Sequence, residues 1–372
     1  MKRGPIALTG GQGSRSTGVV SGFVLKLARQ SAALTQDQLA EALAVDVTTV
    51  QGWESGRRPL AATHAGDFLR LSARLSRLGA PPSTRRHLTE AIEADQVLSA
   101  GITGGGAVVH AETHPLAARV HRRTLTNLIT WPITRTLPQQ LEEFASKVPR
   151  RGPVASHPSL AAEEQHRFFD HLLTVVERGR RTDEPLLRRQ AVYLLGFDGR
   201  LQVVDWLRDE WRRAWRSTVR DGNITGLLEA RSASVALASA GDSTHIHDFV
   251  DQTIDTRAEV ANLNYWAHWI GELSEEQTSD AFMSNDDTRS WTGVRLLHHL
   301  INRLDPNSSH LPLNLHTLHV LIASRPALLA ERTDVRKRLA EVLDKLASSG
   351  NVTRTGRGQV VGLQYALRIA DR

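Results

Sequence analysis

The sequence predicts an all-α protein: a small N-terminal helical domain followed by a larger helical one. Two observations carry that prediction. Apolar residues recur at helical spacing in block after block along the 372 residues, and no strand-like alternation competes with them. The breaks between blocks are rich in glycine and proline, the residues that most often punctuate helices.

Residues 1–18 are Gly-, Ser-, Thr- and Arg-rich without an apolar period, and read as a flexible basic arm. Helical spacing sets in at Val19 and runs in short blocks to about Leu78, where Pro81 and Pro82 interrupt it. An amphipathic block, Thr84 to Leu98, closes a first domain over residues 19–100. Gly101 to Gly106 reads as a linker, and residues 101–158 as linker plus intermediate helical segment, punctuated by Trp131-Pro132, Pro138 and a Pro-rich hinge from Pro149 to Pro158.

From 159 to 372 helical periodicity predicts Glu163–Val176, Pro185–Leu195, Gln202–Val219, Thr225–Ser239, His247–Ile254, Glu259–Leu273, Trp291–Leu304, Asn314–Ile322, Asp334–Leu346 and Gln359–Ile369. These form either an irregular bundle or a TPR-like solenoid; no fixed repeat signature decides between them. Trp206, Trp211 and Trp215, with Trp266 and Trp269, fall near helical spacing and read as packing anchors.

Composition narrows the function classes. Cysteine is absent, which excludes disulfides, thiolate metal sites and a cysteine nucleophile, and fits a cytoplasmic location. The N-terminal apolar stretch breaks at Gly10-Gly11, and no run approaches membrane length, so neither secretion nor a membrane partner is expected. Charge is polarised: residues 1–90 hold twelve Lys/Arg against six Asp/Glu, whereas 91–372 hold thirty-four of each, so the whole net charge of +6 lies at the N-terminal end. Localised positive charge is what attraction to phosphate requires.

The informative stretch is Leu34 to Gly56. Thr35 is a good N-cap, Gln38 completes a capping box three places on, and Leu39, Ala40 and Leu43 give a first helix its buried face. Ala44-Val45-Asp46 forms a tight turn, and Asp46 is placed to cap the next helix. Val50 and Trp53 face the core, which leaves Val47, Thr48, Thr49, Gln51 and Gly52 on other faces, available to a DNA major groove. Gly56 sits where a left-handed helix stop is expected, followed by Arg57-Arg58 with charge that reaches phosphate.

This segment resembles the phage-repressor-like, XRE-type helix-turn-helix regulators, through Arg29, Thr35-Gln36, Ala40 and Glu54-Ser55-Gly56 taken together. The resemblance covers about sixty residues. It implies a four- or five-helix lambda-repressor-like domain, double-stranded DNA as partner, and a homodimer reading a roughly two-fold operator. It also implies roles for particular residues. Gln36 contacts phosphate, Val47, Thr48 and Gln51 face bases, Arg57 clamps the backbone, and Arg29 pairs with Glu54 inside the domain. Two positions depart from the pattern: Ala44 stands where glycine is usual in the turn, and Gly52 where a long polar side chain is common. Val47, Thr48 and Gly52 cannot make the bidentate base contacts worth ~1–3 kcal/mol each. The helical domain is then expected to serve dimerisation or sensing of a small-molecule or peptide effector, at the nucleoid in the cytoplasm.

Phe68, Leu71, Leu75 and Leu78 continue at helical spacing and supply a fourth helix, with Arg70, Arg74 and Arg77 on a solvated face. No cofactor or metal is expected: His245-x-His247-Asp248 and His298-His299 lack diagnostic spacing and read as surface residues. Gly104-Gly105-Gly106 and Gly356-Arg357-Gly358 lack the context of phosphate loops, and no nucleophile elbow is present, so no enzyme is expected. Two other classes stay open: an interaction adaptor that binds DNA without sequence preference, and an enzyme within the C-terminal domain.

Overall fold

The computed structural model describes residues 18–104, 111–144, 155–179, 184–221, 224–252, 256–285, 291–330 and 332–371. The basic arm, apart from Gly18, lies outside the described residues, as do Gly105, Gly106 and the hinge from 149 to 154. Among the described residues no strand forms.

The first four helices are α1 (Val19–Ser31), α2 (Gln36–Leu43), α3 (Val47–Glu54) and α4 (Ala65–Arg77). They are followed by the long α5 (Thr84–Thr103) and by α6 (Arg123–Thr134), with short 3-10 turns between. The larger part comprises α7 (Ala162–Arg178), α8 (Pro185–Leu195), α9 (Leu201–Asp221), α10 (Ile224–Ser239), α11 (Thr244–Gln252), α12 (Thr256–Trp269), α13 (Val294–Ile301), α14 (Leu311–Ser324), α15 (Ala327–Ala330), α16 (Thr333–Ser348) and α17 (Arg354–Ala370). Each of the ten blocks read from periodicity overlaps one of these helices; the four-residue α15 is too short to show a period.

The linker expected to begin at Gly101 is still helix. Gly101 is buried because the Phe168 ring of α7 fills the space a Cβ would take, only 2.4 Å from Phe168 Cδ2. A glycine that reads locally as a flexible joint is here a seat for an aromatic ring. The segment behind it is likewise no tether. Leu125, Leu128, Ile129 and Trp131 of α6 are buried, and the edge of the Trp131 ring meets Phe23 of α1 at 5.2 Å between centroids.

The helix-turn-helix region therefore shares its core with the helices C-terminal to it. One apolar cluster runs from Val20 of α1 through α5, α6 and α7 to Leu237 of α10, and a second runs from Leu227 of α10 to Leu367 of α17. Helix α10 is the seam, and every residue from Gly226 to Ala238 is buried. Its one carboxylate in that stretch, Glu229, joins an ion cluster across three helices. Arg188 of α8 meets Glu210 of α9 and lies 2.6 Å from Glu229, and Arg213 reaches the same two carboxylates. Full pairing is what makes such buried charge tolerable.

The tryptophans pack. Trp211 and Trp215 stack at 5.8 Å, and Trp266 is 7% exposed. Two histidines read as surface residues are instead half-buried against them, His245 at 4.4 Å from Trp211 and His299 at 5.6 Å from Trp266. Burial pushes the His299 imidazole down to about 3, assisted by Arg123 and Arg303. Among the described residues no three His, Asp or Glu side chains gather as a metal would require.

Candidate nucleic-acid interface

The candidate interface starts at the cap of α2. Thr35 Oγ1 accepts from the Gln38 backbone N–H at 3.1 Å, and Gln38 Oε1 accepts from the Thr35 N–H at 2.8 Å. That reciprocal pair leaves the N–H groups of Gln36 and Asp37 pointing outward at the positive end of the helix dipole. The buried residues of α2 are Leu39 and Ala40, which seat it beneath α3.

The turn closes through Ala44, whose backbone is left-handed at φ 54°. Asp46 comes next at the N-cap of α3 with extended backbone, but its carboxylate makes no capping bond; its carbonyl accepts from Thr49 N–H at 2.8 Å. Val50 is fully buried, Trp53 is half-buried, and the helix stops at Gly56, which is left-handed at φ 72°.

Thr48 and Gln51 are exposed, with Val47 and Thr49 half-exposed beside them. Arg57 and Arg58 are exposed immediately after the helix. The outward face of α3 is thus open, and it is flanked by guanidinium groups.

Three details were not legible in the sequence. Gly52 is buried, not outward: its missing Cβ leaves room for the Arg58 stem, whose Cδ would lie 3.0 Å from such an atom. Arg58 Nη1 then donates to Thr49 Oγ1 at 2.9 Å, so the guanidinium lies over α3 and Thr49 supports it. The long polar group that the resemblance places on the recognition helix at position 52 is supplied here by a neighbouring arginine.

The third detail concerns Gln36. Arg29 Nε donates to Glu54 Oε1 at 2.6 Å and Nη2 to Oε2 at 3.1 Å, while Nη1 is held by the Leu34 carbonyl. Gln36 Nε2 donates to Glu54 Oε2 at 2.7 Å. The Gln36 amide, expected from the resemblance to contact phosphate, is turned inward onto this ion pair. The arrangement ties α1, α2 and α3 together through one carboxylate, since Arg29, Gln36 and Glu54 come one from each.

The base of the motif is anchored from a distance. Asp95 of α5 is 3% exposed and accepts the backbone N–H groups of Val20 at 3.0 Å and Ser21 at 2.9 Å. It caps α1 in place of a local side chain, Gly18 having none. Nothing in the local pattern of either helix announces that contact, made across seventy-five residues.

Two further clefts border the motif. One, of about 550 Å³, lies between α2, α3 and α4 and is flanked by Arg70, Arg74 and Arg77. The other separates α4 and α5 from the residue 119–125 segment. No helix among the described residues is long and apolar enough to cross a membrane.

Comparison with known proteins gives the helix-turn-helix family, matched over residues 25–68. No curated protein and no solved structure matches the chain. The segment from Leu25 to Phe68, with α2 and α3 at its centre, matches the XRE-type helix-turn-helix family, and the match does not extend to the helices that follow.

Proposed function

We propose that the protein is a sequence-specific transcriptional regulator that works as a homodimer in the cytoplasm, each helix-turn-helix reading one half-site of a roughly two-fold operator, with the larger helical part serving dimerisation or sensing and carrying no enzymatic activity. The observation that carries this reading is the open outward face of α3, with Thr48 and Gln51 exposed between half-exposed Val47 and Thr49. Arg57, Arg58 and the free N–H groups of α2 border it and supply phosphate contacts. A single module of this size makes few contacts, and two-fold pairing multiplies them.

Binding selection from a random DNA library tests the reading, with the symmetry of the recovered site reporting the homodimer. The double variant Thr48→Ala, Gln51→Ala is expected to flatten preference among sequences while keeping most non-specific affinity. Arg57→Ala is expected to weaken binding to every sequence and to lower the salt dependence by about one counterion. A recovered site that the double variant binds as tightly as the parent overturns the base-reading assignment. Selection that returns no preferred sequence favours an adaptor that binds DNA indiscriminately.

A further inference from the structure

The cleft between the helix-turn-helix and the larger helical part measures about 480 Å³, within the range of small-molecule sites. Phe68 and Leu69 of α4 supply an apolar wall, with Leu69 54% exposed. The remaining walls are charged.

Four arginines and three glutamates line the cleft, and several of these are already committed. Arg119 is clasped by Glu93 and Glu276. Arg122 Nη2 donates to the carbonyls of Leu273, Ser274 and Glu275 at 2.8 to 3.0 Å. Arg85 and Arg86, side by side in the first turn of α5, are exposed and have no ion-pair partner among the described residues.

The acceptors are also incompletely used. Glu90 Oε1 takes the Thr124 hydroxyl at 3.2 Å, while Oε2 is buried 3.6 Å from His87 Nδ1 without a hydrogen bond. His268, 1% exposed, donates through Nε2 to the Val120 carbonyl at 3.0 Å, which leaves Nδ1 a buried lone pair with no partner. Burial and the nearby arginines hold this imidazole below its ordinary proton affinity, so Nδ1 remains an acceptor. Buried acceptors without donors are uncommon and call for an explanation.

We propose that this cleft binds a small zwitterion, an amino acid or dipeptide with an apolar side chain, its carboxylate on Arg85 and Arg86, its ammonium at Glu90 and its side chain against Phe68 and Leu69. The balance of unused groups selects this class. A dianionic phosphate meets the Glu90 carboxylate, a simple cation meets Arg85 and Arg86, and a neutral apolar molecule pairs with none of the three. A zwitterion satisfies both signs at once, its carboxylate on Arg85 and Arg86 and its ammonium on the Glu90 carboxylate.

The position of the cleft gives the ligand a route to DNA affinity. The first turn of α4, through Phe68, closes the matched helix-turn-helix segment, and α5, the other wall, holds the first turn of α1 through Asp95. An occupant touches both, so any difference in its fit between DNA-bound and free arrangements changes operator affinity, and reciprocally. That consequence rests on the regulator reading; binding to the cleft does not.

Calorimetric titration of the full chain with leucine, phenylalanine and unblocked leucyl-phenylalanine tests the proposal. Saturable binding of at least one probe is expected, at least tenfold weaker for the N-acetylated and the C-amidated forms. Arg86→Ala, on an exposed side chain, and Glu90→Gln are each expected to weaken binding at least tenfold, the first with an unchanged unfolding temperature. Absence of any titration, equal binding of the blocked forms, or wild-type affinity in Arg86→Ala overturns the site. Operator affinity, measured with and without the probe that binds, is expected to shift; an unchanged value overturns the effector role. A chain that binds the probe but selects no DNA sequence removes the regulator reading alone.

Discussion

At Ala44 an L-residue occupies a left-handed backbone at φ 54° on an exposed turn. The Cβ of any residue but glycine is strained there, typically by about 1 kcal/mol, and no packing of this solvated methyl offsets it. Ala44→Gly is therefore expected to stabilise the fold by up to about 0.5 kcal/mol, after the entropy glycine gains on unfolding is subtracted; the check is a chemical-denaturation midpoint that rises at constant slope. Glu54 stands at the opposite extreme. Its side chain is 4% exposed and receives Arg29 and Gln36 together. Glu54→Ala leaves a guanidinium buried without its counter-charge, a loss of about 3–5 kcal/mol, and is expected to abolish DNA binding by unfolding the motif. Circular dichroism of that variant separates the two causes: a folded Glu54→Ala with ordinary stability contradicts the structural role.

Between elements, the α1–α5 contact makes a distinctive pH signature. Burial pushes the Asp95 carboxyl up to about 7, against the bonds from Ser21 and Val20 that favour its charged form. A raised acid binds a proton in the folded chain that the unfolded chain has lost. The Asp95 contribution to stability is accordingly highest below its ordinary value near 4, falls as pH rises toward 7 and is flat beyond. Buried histidines act in the opposite sense. His114, His121 and His316 are pushed down to about 4, 3 and 4 by burial, so stability falls as pH drops below 6.5 and the unfolded chain takes up their protons. Comparison of wild type with Asp95→Asn cancels the histidines. The variant is expected to gain stability relative to wild type as pH rises from 5 to 8, read as a change in the difference of unfolding temperatures. A pH-independent difference rules out a perturbed Asp95.

What the sequence revealed and concealed divides along the same line. The capping box at Thr35 and Gln38, the glycine stop at Gly56 and the outward Thr48 and Gln51 are set by neighbours within four residues, and local spacing exposes them. Asp95 capping α1, Arg58 lying in the space above Gly52 and Gln36 turning onto Glu54 are tertiary choices. For each of them periodicity gives the helix but not its neighbour. The same holds for Gly101, where glycine marks close approach and not a joint.

At the scale of the whole molecule, the consequential feature is the continuous core beneath the DNA-binding motif. Phe23, Val24, Leu27 and Ala28 of α1 are buried with Leu88, Ala91 and Leu98 of α5 and with Trp131 of α6, all within one cluster that extends to α10. A fragment ending at residue 78 keeps the turn and its caps but loses α5, α6, the Asp95 cap and the ring against Phe23. Each large apolar side chain so uncovered forfeits about 1.5–3 kcal/mol of burial, and several are uncovered together, against a total stability of only 5–15 kcal/mol for a domain. The 18–78 fragment is expected to show no cooperative thermal transition and no operator binding. Extending it to 144 restores α5 and α6 but leaves Gly101 without the Phe168 ring that covers it, so partial recovery at most is expected. A cooperative, operator-binding 18–78 fragment shows that the motif is a self-sufficient unit, and then a ligand in the cleft behind α4 has no shared core through which to act on α3. A fragment that folds only with the helices behind it makes the DNA-binding surface mechanically part of the larger helical body.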